Sequence, residues 1–358
     1  MPATPPMLEF RDTANPSRIM AHANRTPAMI PSPAHPIVSI VVPVYNASAY
    51  LEPCLDRLCT QDFRDIEIIV VNDGSTDDSA GQLSQWAARD ARMTVLNHAD
   101  NANRGVAATR NLGLQHARGK FLWFVDADDR VRPGAISHLV ATAKSHADGV
   151  DVIAFNACES GPGIEPGRVY RQPKPAGRVT GEAWVALSCR QKECPHLVWL
   201  RFYRRTYLEE IGLRFREGIV HEDIAWITEG DLRAKHFVYT DAVLYDYLRN
   251  AQSITGNESD VSLMRRAEGL ITVVEQLREI NQRVGMSAET SRLLRAELVG
   301  QGLQVDRLRQ HITDVDLRKR IDDRVINANL WRTLWKDATR LTRKRQLAQV
   351  MLRQWWQR

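Results

Sequence analysis

The sequence Gly119-Lys-Phe-Leu-Trp-Phe-Val-Asp-Ala-Asp-Asp129 decides how the rest of the chain is interpreted. Its apolar run, residues 121–125, has the pattern of a strand that is buried on both faces of a parallel sheet. The run ends abruptly in Asp126, Asp128 and Asp129. Three carboxylates at the end of a buried strand repel one another unless a cation or a donor-rich pocket compensates. The stretch therefore predicts either a divalent cation that holds a phosphate-bearing ligand, or a solvated turn in which an aspartate caps the next helix.

Composition restricts the class of protein. The 358-residue chain is 44% hydrophobic and 25% charged, as in an ordinary soluble protein, and it is long enough to bury a large core. Its five cysteines form no CxxC pair, so we expect neither a disulfide framework nor a structural zinc site, which suits a reducing cytoplasm. No apolar run is long enough to span a bilayer, and the N-terminus lacks the apolar segment of a signal peptide. The net charge of +5 and the pI near 9.0 favour a polyanionic partner.

Predicted strands and helices alternate along the chain on both sides of residues 119–129. Further strands are predicted at residues 37–42, 66–71, 93–97 and 150–155. One helix is predicted to begin at about residue 48, and a second is predicted to end at about residue 89. Two more are predicted at 106–116 and 135–145. Ser75 or Thr76 is expected to cap the second helix. The alternation predicts an α/β fold with a mostly parallel sheet and helices on both faces.

The two ends of the chain and the region after residue 155 have other patterns. Residues 1–35 are rich in Pro and Ala and are expected to form a disordered lead. Residues 158–178 are rich in Gly and Pro and predict a loop or hairpin insertion, and residues 237–239 and 243–247 predict two strands. Apolar residues then recur at helical spacing, so residues 259–358 are predicted to form a helical C-terminal region.

Polar segments follow four of the predicted strands. They are Pro43-Val-Tyr-Asn46, Asp73-Gly-Ser75, Asn103-Arg-Gly105 with the nearby Arg110-Asn111, and Asp126-Ala-Asp-Asp129. Ligands of open α/β sheets bind at the carboxyl ends of the strands, so we expect these segments to converge on one site. The first turn lacks Gly-x-Gly-x-x-Gly, which excludes a Rossmann dehydrogenase. No nucleic-acid partner is expected, because the positive charge does not lie beside these segments and no recognition module is present.

In these segments the sequence resembles the family 2 glycosyltransferases, which are inverting enzymes with the GT-A (Rossmann-like) fold that use nucleotide sugars. The resemblance rests on Val38-Ser-Ile-Val-Val-Pro-Val-Tyr-Asn46, Val71-Asn-Asp-Gly-Ser-Thr-Asp77, Asn103-Arg-Gly105, Ala108-Thr-Arg-Asn-Leu-Gly113 and the cluster from Asp126 to Asp129. It is dense up to about residue 155 and thins out toward Thr255. It implies a GT-A domain over residues 36–258, divided into a nucleotide-sugar-binding half (36–155) and an acceptor-binding half (156–258).

The resemblance also implies a set of donor-binding residues. In the family, the positions of Tyr45 and Asp73 hold the uracil of a UDP-sugar, with the ring against the base and the carboxylate accepting from its N–H. Tyr45 could instead be a packed aromatic residue and Asp73 a turn former. Arg249 would reach the diphosphate or lie in a solvated loop. The whole expected set is Pro43, Tyr45, Asn46, Asp73, Ser75, Asn103, Gly105, Arg110, Asp126, Ala127, Asp129 and Arg249.

By the same resemblance, the carboxylates after the predicted strand 121–125 hold a cation. Asp128 would be the principal ligand of Mg²⁺ or Mn²⁺, and Asp126 would lie toward the ribose and the metal. The cation would offset the charge of the diphosphate and stabilise the nucleoside diphosphate as it leaves. Asp129 would face the donor sugar or support the cluster. Arg110 would add positive charge near the donor or form a salt bridge on a helix surface.

The second half of the domain is expected to supply the catalytic base. An inverting transfer needs a carboxylate to take the proton of the acceptor hydroxyl as that oxygen attacks the anomeric carbon from the opposite face. Glu222-Asp223 matches the Glu-Asp pair of the family, so we expect Asp223 to be the base and Glu222 a positioning residue. Both acids could instead only stabilise the first turn of a helix through its dipole. The residues expected on the acceptor side are His196, Trp199 and His221.

The tail, residues 331–358, is strongly basic and carries four tryptophans. It predicts one or two basic amphipathic helices, which either lie on an anionic membrane surface or dock on the catalytic domain.

The whole sequence thus predicts a metal-dependent inverting glycosyltransferase that moves a sugar, UDP-linked in our expectation, to a growing cell-surface glycan or lipid-linked glycan at the cytoplasmic face of the membrane. The alternatives are a catalytically weak glycosyltransferase-like binding protein and an aspartate-dependent phosphatase. The latter is disfavoured because residues 126–130 do not read Asp-x-Asp-x-Thr.

Overall fold

One ten-stranded sheet forms the centre of the chain. The computed structural model describes residues 35–175, 177–249 and 258–356, so the predicted disordered lead lies, except for His35, outside the described residues. The strands are β1 (Val38–Val44), β2 (Ile66–Asn72), β3 (Met93–Asn97), β4 (Phe121–Phe124), β5 (Arg130–Val131), β6 (Val152–Gly161), β7 (Ile164–Arg168), β8 (Arg178–Val179), β9 (Arg201–Arg204) and β10 (Phe237–Leu248). Within the described residues their order is β3-β2-β1-β4-β9-β6-β10-β5, with β7 paired to β6 and β8 to β10.

The first half of the sheet is parallel, as predicted. β1 pairs in parallel with both β2 and β4, and β2 pairs in parallel with β3. Every residue of β2 and β4 is buried, because helices cover this part of the sheet. The helices of the described chain are α1 (Leu51–Cys59), α2 (Ser79–Arg89), α3 (Val106–His116), α4 (Ala135–Lys144), α5 (Gly181–Gln191), α6 (Arg205–Glu210), α7 (Glu222–Arg233), α8 (Asp260–Arg283), α9 (Ala288–His311), α10 (Val315–Asn327), α11 (Leu330–Asp337) and α12 (Leu341–Trp356).

The second half of the sheet is mixed, which the sequence did not indicate. β9 lies between β4 and β6 and is antiparallel to both. Its four residues read Arg-Phe-Tyr-Arg, a run without alternation that is too short for a reliable periodicity. β6 returns through β7, so the predicted hairpin at residues 158–178 is confirmed. The two strands expected after residue 236 are one strand, β10, with irregular pairing between Thr240 and Tyr245.

Five helices, α8 to α12, follow the sheet in the described chain, as predicted. α8 and α9 pack against each other, α8 also packs on α7, and α9 packs on α5. The hydroxyl groups of Ser259 and Ser287 accept backbone N–H bonds in the first turns of α8 and α9, which fixes where these helices begin. The apolar residues that recur at helical spacing in α8 are buried, among them Leu263, Leu270, Val273, Val274 and Leu277.

The basic tail packs on α9 through α11 and α12. Trp331 is buried and donates its indole N–H to Oε1 of Gln354 at 2.7 Å. Trp335 is 38% exposed, and the side chains of Trp355 and Trp356 lie outside the described residues. None of the described helices combines the length and the apolar character needed to cross a membrane. The contact of this tail with a membrane surface stays a prediction.

Candidate active site

The loops after β1 and β2 form one connected rim at the carboxyl ends of the strands. Asn46, in the left-handed region at φ +48°, donates its N–H to Ser75 Oγ (3.1 Å), and its Oδ1 accepts from the N–H of Thr76 (2.7 Å). The carboxylate of Asp77 accepts from the backbone N–H groups of Ser48 (2.9 Å) and Ser79 (3.0 Å). The carboxylate that accepts from the first N–H of α2 thus belongs to Asp77, one residue before the N-cap position Asp78. The expectation of Ser75 or Thr76 as the cap was wrong, because both residues join the two loops instead.

The rim presents Tyr45 and covers Asp73. Half of the Tyr45 surface is exposed, so its ring is free to meet a planar ligand. Pro43 lies near the carboxyl end of β1. Asp73 is buried, and its two oxygens accept from the backbone N–H groups of Arg104 (2.6 Å) and Gly105 (2.9 Å). Asp73 thus holds the loop of Asn103 to Gly105 against the rim. Oδ1 of Asp73 also lies 3.3 Å from Nε2 of His98, and Oδ2 keeps a second lone pair. The contact of Asp73 with a nucleobase stays a prediction.

The carboxylates after β4 have different surroundings. Asp129 is buried and accepts from the hydroxyl of Tyr245 (2.9 Å) and the N–H of Leu248 (2.8 Å). Burial, reinforced by the negative charges of Asp126 and Asp128, raises the pKa of Asp129 to about 9. Asp129 therefore ties the cluster to β10. Of the two roles that the resemblance allowed, facing the donor sugar or supporting the cluster, these contacts favour support.

Arg110 connects the two halves of the domain. Its buried guanidinium donates to Oδ1 of Asp126 (2.8 Å) and to Oε1 of Glu222 (2.7 Å), and it lies over the ring of Phe215 at 5.6 Å. Burial alone would lower the pKa of Arg110, but Asp126 and Glu222 outweigh burial and raise it. The helix-surface salt bridge offered as an alternative is not observed. Arg110 is instead a buried bridge.

The acidic pair Glu222 and Asp223 lies in the first turn of α7, as predicted. Burial raises the pKa of Glu222, and Arg110 opposes that rise. The pKa of the half-buried Asp223 is also raised, by burial first and by the charge of Glu222 second, again against Arg110. Two carboxyl groups that hold protons more tightly than usual, beside one fixed cation, are typical of acid–base sites.

Helix α8 supports the start of α7. Gly269 of α8 lies so close to Val220 that a Cβ atom added there would be 2.3 Å from the Val220 carbonyl oxygen. The next residue, His221, has φ +69° and precedes the acidic pair. The position of the candidate base therefore depends on a helix of the C-terminal region.

The three residues expected on the acceptor side have separate positions. His221 directly precedes the acidic pair, and burial, with the positive charge of Arg266, lowers its pKa to about 4. Burial also lowers the pKa of His196. Trp199 is 1% exposed, and its ring stacks on that of Tyr245 with centroids 4.3 Å apart. Trp199 thus packs behind the strand that holds Asp129, and this burial does not allow it to face an acceptor.

Arg249 directly follows β10. Its Nε donates to Oε1 of Glu159 (2.7 Å), and its guanidinium lies 5.2 Å from the ring centroid of Tyr247. The residues that follow, 250–257, lie outside the described residues. The contact of Arg249 with a diphosphate stays a prediction.

The carboxylates fit a cation that is shared with a ligand. Among the described residues, no three His, Cys, Asp or Glu side chains are grouped to hold a metal ion by themselves. Mg²⁺, however, is usually bound by one or two carboxylates together with phosphate oxygens. Asp126 uses Oδ1 for Arg110, which leaves Oδ2, and Asp128 is half-buried two residues later. A donor diphosphate would complete such a site.

The parallel half-sheet, the carboxylates after β4 and the acidic pair of α7 together define a protein with the GT-A fold. S. aureus TarS (residues 1–349), solved in complex with UDP-GlcNAc, has a TM-score of 0.53 at 18% identity and covers 81% of this chain and 88% of its own. Mannosyltransferase PcManGT from Pyrobaculum calidifontis, solved in complex with GDP-Man and Mn²⁺, has a TM-score of 0.51 at 17% identity and covers 92% of this chain and 90% of its own. At these identities the likeness shows the fold alone.

The sequence itself matches a family model. Residues 39–186 match the model of glycosyl transferase family 2, the family that the sequence was expected to resemble. The glycosyltransferase YibD of Escherichia coli (strain K12), named as uncharacterized, is 33% identical over 225 residues, which are 61% of this chain and 63% of YibD. The chain thus spans slightly less than two thirds of that relative. The match to the family model ends at residue 186, before β9, so Glu222 and Asp223 lie beyond it.

Proposed function

We propose that the protein is a metal-dependent inverting glycosyltransferase that moves a sugar from a nucleotide-sugar donor, UDP-linked, to a hydroxyl of a growing cell-surface glycan, free or lipid-linked. The observation that carries the proposal is Arg110, which binds Asp126 at the strand ends and Glu222 at the start of α7. One guanidinium thereby joins the two groups of acids that such a transfer needs. The family match and the nucleotide sugars bound by the two structural neighbours support the class of donor.

Donor binding belongs to the first half of the domain in this proposal. The exposed ring of Tyr45 stacks on the nucleobase, and the loop of Asn103 to Gly105 borders the same rim. Asp126 and Asp128 would hold Mg²⁺ or Mn²⁺ together with the diphosphate. When bound, the cation supplies charge stabilisation to the leaving nucleoside diphosphate.

The acceptor is activated from the other side. Asp223 takes the proton of the acceptor hydroxyl while that oxygen bonds to the anomeric carbon and the diphosphate oxygen leaves from the opposite face. Its raised pKa makes the ionised carboxylate a stronger base than an exposed aspartate. Glu222, held by Arg110, keeps the first turn of α7 in place.

Hydrolysis of the donor tests the proposal. With Mn²⁺ and a panel of UDP-, GDP-, CDP- and dTDP-sugars, the purified protein is expected to release nucleoside diphosphate slowly from one donor. Asp128→Ala is expected to abolish this release, because it removes the principal cation ligand. Asp223→Asn is expected to lower it at least ~100-fold, the usual contribution of a general base, with unchanged affinity for UDP.

Asp56→Ala, on the exposed surface of α1, is the matched control and is expected to keep the wild-type rate. A wild-type rate in Asp223→Asn would remove the assignment of the base. If no donor is hydrolysed and calorimetry detects no metal-dependent binding of UDP, the proposed function itself is wrong.

A further inference from the structure

A basic cleft lies where the GT-A domain meets the C-terminal helices. Its volume is about 290 Å³, and its walls are the end of α5, the first half of α9 and the connection from α11 into α12. This volume is close to the lower end of the roughly 300–1,000 Å³ of small-ligand sites. We call it the α5–α9–α12 cleft, and the cations that line it are Arg190, Lys192, Arg292, Arg340 and Arg343.

The acids of the cleft do not balance its cations. Two carboxylates, Glu289 and Glu297, line it beside the five basic side chains. Glu289 pairs with Arg190 at 2.9 Å. Within the described chain, Lys192, Arg292 and Arg340 form no ion pair. A concave surface with such an excess of positive charge attracts anions from solution.

α7, the helix of the acidic pair, packs on α5, and the end of α5 lines the cleft. Cys189 lines it, and the Cys189 sulfur lies 3.7 Å from that of Cys194, two residues before His196. α5 therefore links the cleft to the helix that carries the candidate base.

We propose that the α5–α9–α12 cleft binds a phosphate or pyrophosphate group of the acceptor. This inference rests on the proposed function and adds to it that the acceptor is acidic. Guanidinium and ammonium groups bind phosphate oxygens through charge-assisted hydrogen bonds. A neutral glycan would gain nothing from three cations that lack a protein partner. The phosphate held in the cleft would orient the acceptor with its sugar hydroxyl toward Asp223.

Binding of inorganic pyrophosphate to the full chain tests the proposal. The titration is done by calorimetry in EDTA, so that no metal ion promotes binding at the donor site. The double variant Arg292→Gln/Arg340→Gln is expected to bind pyrophosphate roughly tenfold more weakly, since it removes two charge-assisted contacts. Arg307→Gln/Arg345→Gln, which removes the same charge from exposed positions of α9 and α12 outside the cleft, is expected to bind like the wild type.

Three results would overturn the proposal. One is absence of pyrophosphate binding by the wild type, and another is an equal loss in both double variants, which would reflect net charge alone. The third is a loss in Asp128→Ala but not in the cleft variant, which would place the anion at the donor site. Loss of binding to phosphatidylglycerol vesicles by the cleft variant, with pyrophosphate binding intact, would make the cleft a membrane contact and also contradict the proposal.

Donor hydrolysis separates this inference from the proposed function. The cleft variant is expected to hydrolyse donor at the wild-type rate, because water needs no phosphate site. A wild type that neither hydrolyses donor nor binds UDP removes the glycosyltransferase proposal, whereas the pyrophosphate titration still decides whether the cleft is an anion site. Vesicle binding by the wild type also tests the membrane contact predicted for the tail.

Discussion

Arg110 shows how one side chain can carry the charge balance of the site. It faces Asp126 on one side and Glu222 on the other, and all three lie largely away from water. Removing one partner of a buried ion pair leaves an uncompensated charge, which is costly. Arginine suits this position because its planar fork binds two carboxylates in different directions, whereas lysine presents a single ammonium group.

Replacing Arg110 should change the pH dependence of donor hydrolysis. Arg110 lowers the pKa of both Glu222 and Asp223, so its removal raises these pKa values further. Since the base must be ionised, the acid limb of the pH–rate profile is expected to move to higher pH in Arg110→Gln. Arg110→Lys keeps a positive charge and is expected to keep the acid limb near its wild-type position while lowering the maximal rate.

The control for Arg110 is Arg89→Gln on the exposed surface of α2, which is expected to leave the profile unchanged. Folding of each variant is checked by circular dichroism. An acid limb that does not move in folded Arg110→Gln would show that Arg110 does not act on the base.

At the scale of elements, the rim depends on one aspartate that joins two loops. Burial alone would raise the pKa of Asp77, but hydrogen bonds from Ser79 and Ser48 outweigh burial and lower it to about 2. A pKa below the unfolded value means that the folded state binds fewer protons. The stability contributed by Asp77 is therefore complete above about pH 4 and is lost as the pH falls toward 2.

Asp77→Ala is expected to lower the free energy of unfolding by about 1–2 kcal/mol at pH 7, as for other residues that cap a helix N-terminus. The difference from the wild type is expected to shrink as the pH falls from 4 toward 2, when measured by urea unfolding. Asp78→Ala is the matched control, because the neighbouring Asp78 makes no capping bond with its side chain. Equal losses in the two variants at pH 7 would contradict this account.

The sequence predicted elements well where the pattern is local. Residues 93–97 and 106–116 are the strand and the helix that were expected. Gly105, at φ +85°, directly precedes this helix. β9 was missed because its place is set by β4 and β6 rather than by its own four residues.

The candidate site was predictable in its acids but not in their partners. The carboxylates after β4 and the pair in α7 stood out as motifs. Tyr245, which binds Asp129, is 116 residues away along the chain, and Phe215 lies under Arg110 from a loop without a signal of its own. Arg110 was singled out, yet its burial between two acids could be known only from the fold.

At the scale of the whole molecule, a C-terminal helix supports the candidate active site. α8 packs on α7 with Gly269 against Val220. In an ordinary helix, Gly→Ala is stabilising by up to about 1 kcal/mol. Gly269→Ala is expected to do the opposite and to lower both the melting temperature and the rate of donor hydrolysis, because a methyl group there must displace Val220 and the start of α7.

Gly300→Ala in α9 is the matched control. A Cβ atom at Gly300 meets only Nη2 of Arg343, at 3.9 Å, so this variant is expected to be as stable as the wild type or more so, with unchanged hydrolysis. Thermal unfolding and donor hydrolysis measure both variants. A Gly269→Ala protein that matches Gly300→Ala in both assays would rule out support of the base by α8.

The two supports of α7 determine what could be exchanged between related enzymes. One support, Arg110, lies inside the region that matches the family, and the other, Gly269, lies far beyond it. Consider a chimera that takes residues 39–186 from one protein and the remainder from a relative. Its Arg110 would come from the first parent and its acidic pair from the second, so the two would not have evolved together. Altered donor specificity is therefore best sought in recombinants whose crossover lies after α8, so that the whole supported unit is inherited together.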